Sequence, residues 1–221
     1  MNKKEQAIKF RKLGWSYNKI NSKLGVPKGT LSYWFKDLVF SSHIKEVNVE
    51  NSKKKWAANI TKYNKNRSVL ARKRWSDIQS ESVIGANKFA KDPLFLAGVF
   101  LYWAEGYKRG NWNVIFTNSD PEINRIMMRF FINVCNVPKE KIKAQIQVHE
   151  VEQVEKSVKY WSKCTNIHIN NFSKTTIQKR ISKKVVNNRL PYGTLRIKIN
   201  DVLLVNKIKG WITWVSNNIG V

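Results

Sequence analysis

The chain predicts an α+β fold, and three observations carry that prediction. Short apolar-periodic helical segments separated by glycines fill the first 45 residues. A long, strongly basic helical stretch follows. Beyond it, helical periodicity alternates with runs of strict two-residue period. The expected architecture is an N-terminal three-helix unit over 1–45, a basic helical linker over 46–92, and an αβ domain over 93–221 with helices on one face of a sheet.

In the first region the spacing predicts a helix over Lys4–Leu13, with Ala7, Ile8 and Leu13 inward and Gly14 as its stop. Ser16 caps a second helix carrying Ile20 and Leu24, which Gly25 closes. Val26-Pro27 form a turn into a third helix, Lys28–Leu38, with Leu31, Trp34 and Leu38 on its buried stripe. Glycine in the tight turn, then a short helix, is helix-turn-helix spacing. The third helix offers Lys28, Thr30, Ser32, Tyr33 and Lys36 outward, the hydroxyls and cations that suit a DNA major groove.

Residues 51–75 hold nine basic side chains and no acid. Trp56, Ile60, Tyr63, Arg67, Leu70 and Arg74 recur at four- and three-residue steps, a helix with a thin apolar stripe. Lys53, Lys54, Lys55, Arg72, Lys73 and Arg74 are candidate phosphate contacts. Residues 76–92 read as the remaining connection.

From Pro93 the pattern predicts an apolar helix to Gly106 and a strand over Asn113–Thr117. Asp120-Pro121 then start a helix to about Asn136. A strand over Lys141–His149 and a helix near Val151–Cys164 follow. Strands near His168–Gln178 and Thr194–Asn200 flank a basic loop, and Asp201 caps a final helix. In Lys141–His149 the apolar set is Ile142, Ala144, Ile146 and Val148, against Lys141, Lys143, Gln145, Gln147 and His149. In Thr194–Asn200, Leu195, Ile197 and Ile199 oppose Arg196, Lys198 and Asn200. Such alternation packs one face and wets the other, and on the wet face Lys141, Lys143, Gln147 and Arg196 are candidate DNA contacts, donors that match phosphates and purine edges.

Charge narrows the partner. The 221 residues carry 41 Lys and Arg against 15 Asp and Glu, a formal net charge of +26. The excess is +14 over 1–92 and +12 over 93–221, so neither part is a mere tail. Self-repulsion on this scale points to a polyanion, with double-stranded DNA the leading candidate and RNA included. No run approaches the ~18 apolar residues of a membrane span, and no apolar signal region opens the chain. The expected location is the cytoplasm, with the nucleoid. Cys135 and Cys164 form no CxxC pair, which excludes a zinc ribbon, and both read as small core residues. His43, His149 and His168 lack metal-ligand spacing, and no Gly-rich phosphate loop or Gly-flanked serine nucleophile appears. No small-molecule substrate is expected. The nine tryptophans read mostly as core, with Trp112 available to touch nucleic acid.

Two resemblances follow. GWSYNKINSKLGVPKGTLSYWFKDL resembles the helix-turn-helix of resolvases and transposon-encoded proteins. LAGVFLYWAEG (Leu96–Gly106), the strand-turn VIFTNSDPEI and a polar-faced sheet backed by helices together resemble the LAGLIDADG homing endonucleases and their degenerate relatives, over roughly 94–215. That resemblance implies a saddle whose sheet sits on the major groove, and places Glu105 as the acid that binds a divalent metal, Mg²⁺, with Gly106 as the final glycine. It also implies a homodimer, since only one such motif is present. Lys198 is then a candidate charge stabiliser, and Gln145 and Gln147 candidate orienters of water. Phe100 stands where the family has a small residue, and Trp103 where it has its first aspartate. The residues therefore leave open a Mg²⁺-dependent DNA endonuclease, a non-catalytic helix-turn-helix regulator with a degenerate LAGLIDADG domain, and an RNA-binding protein of the maturase kind.

Overall fold

The computed structural model of the chain describes residues 2–149, 153–178 and 190–219. It divides into two compact units, Met1–Leu70 and Ala71–Val221. The expected linker segment 46–92 is therefore shared between them rather than standing apart. Its backbone is mostly one helix, α4 (Val39–Gly85).

The first unit holds α1 (Lys3–Lys12), α2 (Tyr17–Leu24), α3 (Lys28–Phe35) and the first part of α4. The starts of α1 and α2 are satisfied locally. Asn2 and Glu5 form a reciprocal capping box on α1, and the Ser16 hydroxyl accepts from the Lys19 amide at 3.3 Å. Gly25 ends α2 at φ +67°, a left-handed conformation that favours glycine. Ala7, Ile20, Val26, Leu31 and Phe35 form the buried core.

Two expectations for this unit are corrected. Leu13 lies outside, 65% exposed, because α1 ends at Lys12 and the chain turns away at Gly14. The inward position one turn after Ala7 goes instead to Arg11, which is buried. Its Nε donates to Ser41 Oγ at 2.9 Å, Nη1 to the Trp15 carbonyl at 2.8 Å and Nη2 to the Ser41 carbonyl at 2.6 Å. In α3 the deepest side chain besides Leu31 is Phe35, with Trp34 and Leu38 only half-buried.

The second unit contains the last part of α4, a 3₁₀ turn over Ala86–Phe89, α5 (Pro93–Glu105), β1 (Val114–Asn118), α6 (Pro121–Arg129), β2 (Ile142–Val148), α7 (Val154–Thr165), β3 (Thr176–Ile177), β4 (Thr194–Ile199) and α8 (Val202–Ile219). Asp92 and Asp120 cap α5 and α6, each accepting two backbone N–H groups ahead of a proline at the first turn. A π-helical turn over Phe130–Val134 prolongs α6. The strand order is β1-β4-β2-β3, antiparallel except for the parallel β2–β3 pair.

Burial alternates strictly along β2 and β4, as expected. Ile142, Ala144, Ile146 and Val148 lie inward beside Leu195, Ile197 and Ile199. They share one core with Phe95, Val99 and Tyr102 of α5, Met127 of α6, Trp161 of α7 and Val205, Ile208 and Val215 of α8. Gly98 lets α5 approach the α6 extension closely: a Cβ there would sit 2.2 Å from the Phe130 ring.

Three further corrections concern this unit. Residues 76–89 are not a connection but part of the core wall. Ala86 is buried, Gln79 Nε2 donates to Asn206 Oδ1 at 2.8 Å, and Trp214 Nε1 donates to Asn87 Oδ1 at 2.8 Å. The strand expected over His168–Gln178 reduces to a 3₁₀ turn over Ile169–Asn171 and the two-residue β3. His168 Nδ1 accepts from the Asn170 amide at 3.2 Å, a side-chain bond that competes with extended pairing. Only Trp161, Trp211 and Trp214 of the nine tryptophans are buried, while Trp56, Trp103 and Trp112 are exposed. The basic loop expected between the last two strands falls largely on 179–189, outside the described residues.

Candidate nucleic-acid interface

The outer face of the sheet assembles residues distant in sequence. Lys143 of β2 lies directly opposite Lys198 of β4, and Gln145 opposite Arg196. Gln147 pairs with Thr194 on one side and Thr176 on the other. Across β1, Ile115 and Thr117 continue the rows of Lys198 and Arg196. The alternation that drives the apolar set inward pushes this set outward. Lys143 is exposed, and Gln145, Gln147, Arg196 and Lys198 are half-buried.

Hydrogen bonds hold part of this surface in place. Gln145 Nε2 donates to the Lys174 carbonyl at 3.1 Å and to Thr176 Oγ1 at 3.2 Å, while its Oε1 accepts from Arg196 Nη1 at 3.3 Å. Both ends of that amide are thus committed to the sheet. Lys143 Nζ donates to Asn171 Oδ1 at 2.7 Å. Gln178 Nε2 donates to Gln147 Oε1 at 3.4 Å. Arg196 Nε is shielded from solvent and has no hydrogen-bond partner. Among the described residues, none of Lys143, Arg196 and Lys198 forms an ion pair; the ion pairs are Lys54–Glu50, Arg125–Glu122 and Lys159–Glu155. Among the described residues, no ion pair compensates the positive charge on the face.

Lys141 lies elsewhere. It belongs to a 3₁₀ turn before β2 and lines a cavity of about 460 Å³ with Lys88, Lys207, Glu81 and Asp201. Burial beside this cavity pushes the Cys135 thiol well above its ordinary range. The mixed signs of its walls give it no selectivity for an anion.

Glu105 is the last residue of α5 and is exposed. Gly106 bridges to Phe116, and the Tyr107 amide donates to the Ile115 carbonyl at 2.9 Å. The helix end therefore runs onto the β1 edge, with β4 and its cations one strand beyond. Lys108 is a residue the sequence reading missed. Its ammonium donates to the Trp103 and Ala104 carbonyls at 2.6 and 3.3 Å, capping the negative end of α5 beside Glu105. A lysine three residues past a helix end was the available signal. No group of three His, Cys, Asp or Glu suited to a metal occurs among the described residues. Glu105 thus belongs to no such group, and a single carboxylate suits Mg²⁺ only where phosphate oxygens or a second carboxylate complete the site. Along α5, Phe100 and Trp103 are exposed and stacked, with centroids 6.3 Å apart.

In the first unit, Lys28, Ser32, Tyr33 and Lys36 are exposed on or beside α3, and Thr30 is half-buried. The chain from Asn51 to Leu70, including Lys53, Lys54 and Lys55, is exposed throughout. Arg72, Lys73 and Arg74 are exposed in the second unit. Trp112, though 65% exposed, meets Trp75 edge to face at 5.5 Å. No described helix is long and apolar enough to cross a membrane.

Compared with known proteins, the chain matches no protein-family model, no curated protein and no solved structure.

Proposed function

We propose that the protein binds double-stranded DNA at specific sites, using α3 as a recognition helix and the outer sheet face as a second reading surface. One observation carries this reading. The chain bears +26, and its sheet turns a row of Lys143, Arg196 and Lys198, without ion pairs among the described residues and interleaved with Gln147, away from a fully packed core. Cations position a protein on phosphate, and amides and guanidinium groups read purine edges. Lys28, Thr30, Ser32, Tyr33 and Lys36 supply the matching chemistry in a helix-turn-helix arrangement. Association with the nucleoid follows from this reading.

A second reading, LAGLIDADG-type cleavage by a homodimer, is favoured by the place of Glu105, where the motif-like helix meets the sheet edge. Its single carboxylate requires the second copy or the DNA phosphates to complete a Mg²⁺ site. Bound there, the ion would polarise a phosphodiester. Glu105 would hold it, and Lys198 would offset charge at the phosphate. Exposed Phe100 and Trp103 give α5 an apolar face for the second copy.

The test is selection of bound duplexes from a randomised library with the full chain, followed by incubation of the selected duplex with Mg²⁺. Recovery of one enriched motif supports site-specific binding, and recovery of none refutes it. Nicking by the wild type that is lost in Glu105→Gln, with affinity retained, supports cleavage. Binding without nicking leaves a regulator.

A further inference from the structure

Phosphate contact leaves one property of α4 unexplained. Val49, Trp56, Tyr63 and Leu70 recur at seven-residue intervals and are 46%, 69%, 62% and 67% exposed, with Ile60 between them at 38%. At about 100° per residue they share a stripe roughly 80° wide. Lys54, Lys55, Lys62 and Lys65 fall outside the stripe, Lys53 borders it, and Arg67 lies within it at the phase of Val49. An apolar seven-residue repeat on a long helix has the geometry of a coiled-coil seam. The segment also lacks reasons to be helical alone. Asn51, Asn59, Thr61, Asn64 and Asn66 are poor helix formers, and every residue from 51 to 70 is exposed.

We propose that this seam pairs with the same seam of a second copy, antiparallel, about a two-fold axis between Thr61 and Lys62. The order of residues supplies the register. Placing Ile60 opposite Tyr63 of the second copy brings Trp56 opposite Arg67 and Lys53 opposite Leu70. Every layer then contains an apolar side chain, and no layer joins two cations. Arg67 lies against an indole, where a guanidinium is attracted to the ring face. Within the chain it already sits over Tyr63, 5.7 Å from the ring centroid. A parallel pairing stacks Lys53 on Lys53 and Arg67 on Arg67. An acidic helix from another protein would satisfy the flanking cations, but it would give no reason for the seam to complement itself.

The area suffices for a reversible dimer. Aromatic side chains bury about 150–250 Å² each, so two Trp56 and two Tyr63 at their present exposure would cover about 500 Å². The Val49, Ile60 and Leu70 pairs carry the total toward the ~1,000 Å² of a specific interface. Because the four outer lysines of each copy still repel, pairing strengthens as salt screens them. This interface needs neither Glu105 nor the sheet face.

The experiment is sedimentation equilibrium of the full chain from low salt to about 1 M, where the Debye length falls to ~3 Å. The expected result is a monomer–dimer equilibrium that tightens with salt and weakens at least tenfold in Trp56→Ser/Tyr63→Ser. Both side chains are exposed, so that variant keeps its fold. A monomer at every salt overturns the proposal. So does a dimer that survives this variant but is lost in Phe100→Ser/Trp103→Ser, a result that would leave the DNA reading standing. Orientation is read by oxidation. Chains carrying Lys53→Cys mixed with chains carrying Leu70→Cys cross-link if the pair is antiparallel, and neither does so alone. Cross-linking of Lys53→Cys by itself would refute the register.

Discussion

Replacing Lys143, Arg196 and Lys198 together by Gln removes the positive charge of the sheet face without touching its core side. Each phosphate contact contributes about 0.9 to the slope of log K against log salt, so three independent contacts would lower it by about 2.7. The geometry lowers that figure. Lys143 and Lys198 are direct cross-strand partners, with Cβ atoms about 5 Å apart, close enough to share one phosphate. Arg196 stands two residues along β4, about 7 Å away, and reaches another. The expected reduction is therefore about 1.8, which makes the affinity lost between about 50 and 200 mM salt some tenfold smaller than in the wild type. Fluorescence anisotropy of a labelled duplex across that range measures it, and Arg196→Gln alone should account for about half. A triple variant with the wild-type slope, and an unchanged circular dichroism spectrum, would show that this face does not meet phosphate.

Two further outcomes probe the scaffold. Arg11→Ala strands the Ser41 hydroxyl and the Trp15 and Ser41 carbonyls inside the first unit and should cost about 2–3 kcal/mol, read as a lower denaturant midpoint of the helical circular dichroism signal; an unchanged midpoint would mean that water replaces the guanidinium. Burial pushes the Tyr102 phenol up to about 12 from an ordinary 10, so the neutral form is favoured in the folded state. The resulting stability is complete below pH 10 and is lost as pH rises from 10 to 12, to a total of roughly 3 kcal/mol. Alkaline unfolding should therefore coincide with tyrosinate absorbance, and Tyr102→Phe should flatten the pH dependence in that window; the same dependence in both proteins would contradict it.

Features that depend on neighbours in the chain were legible early. The Ser16 cap, the Gly25 stop, the Asp120 cap and the inward sets of β2 and β4 follow from local hydrogen bonding and from period. The pairing of Lys143 with Lys198, and of Gln145 with Arg196, was not legible, because register between strands some fifty residues apart depends on how both pack against common helices. Gln145, read as free to orient water, is held at both ends of its amide by Arg196 and the 174–176 segment.

Composition and spacing within a segment were enough to set the α+β class, the outward residues of each long strand and the large positive charge. Long-range packing was needed to show that Arg11 is buried, that residues 76–89 wall a core, and that Lys141 faces a cavity rather than the sheet row. One cause underlies the first two. A polar side chain becomes an interior one only when partners far along the chain replace its water, and helical phase carries no record of those partners.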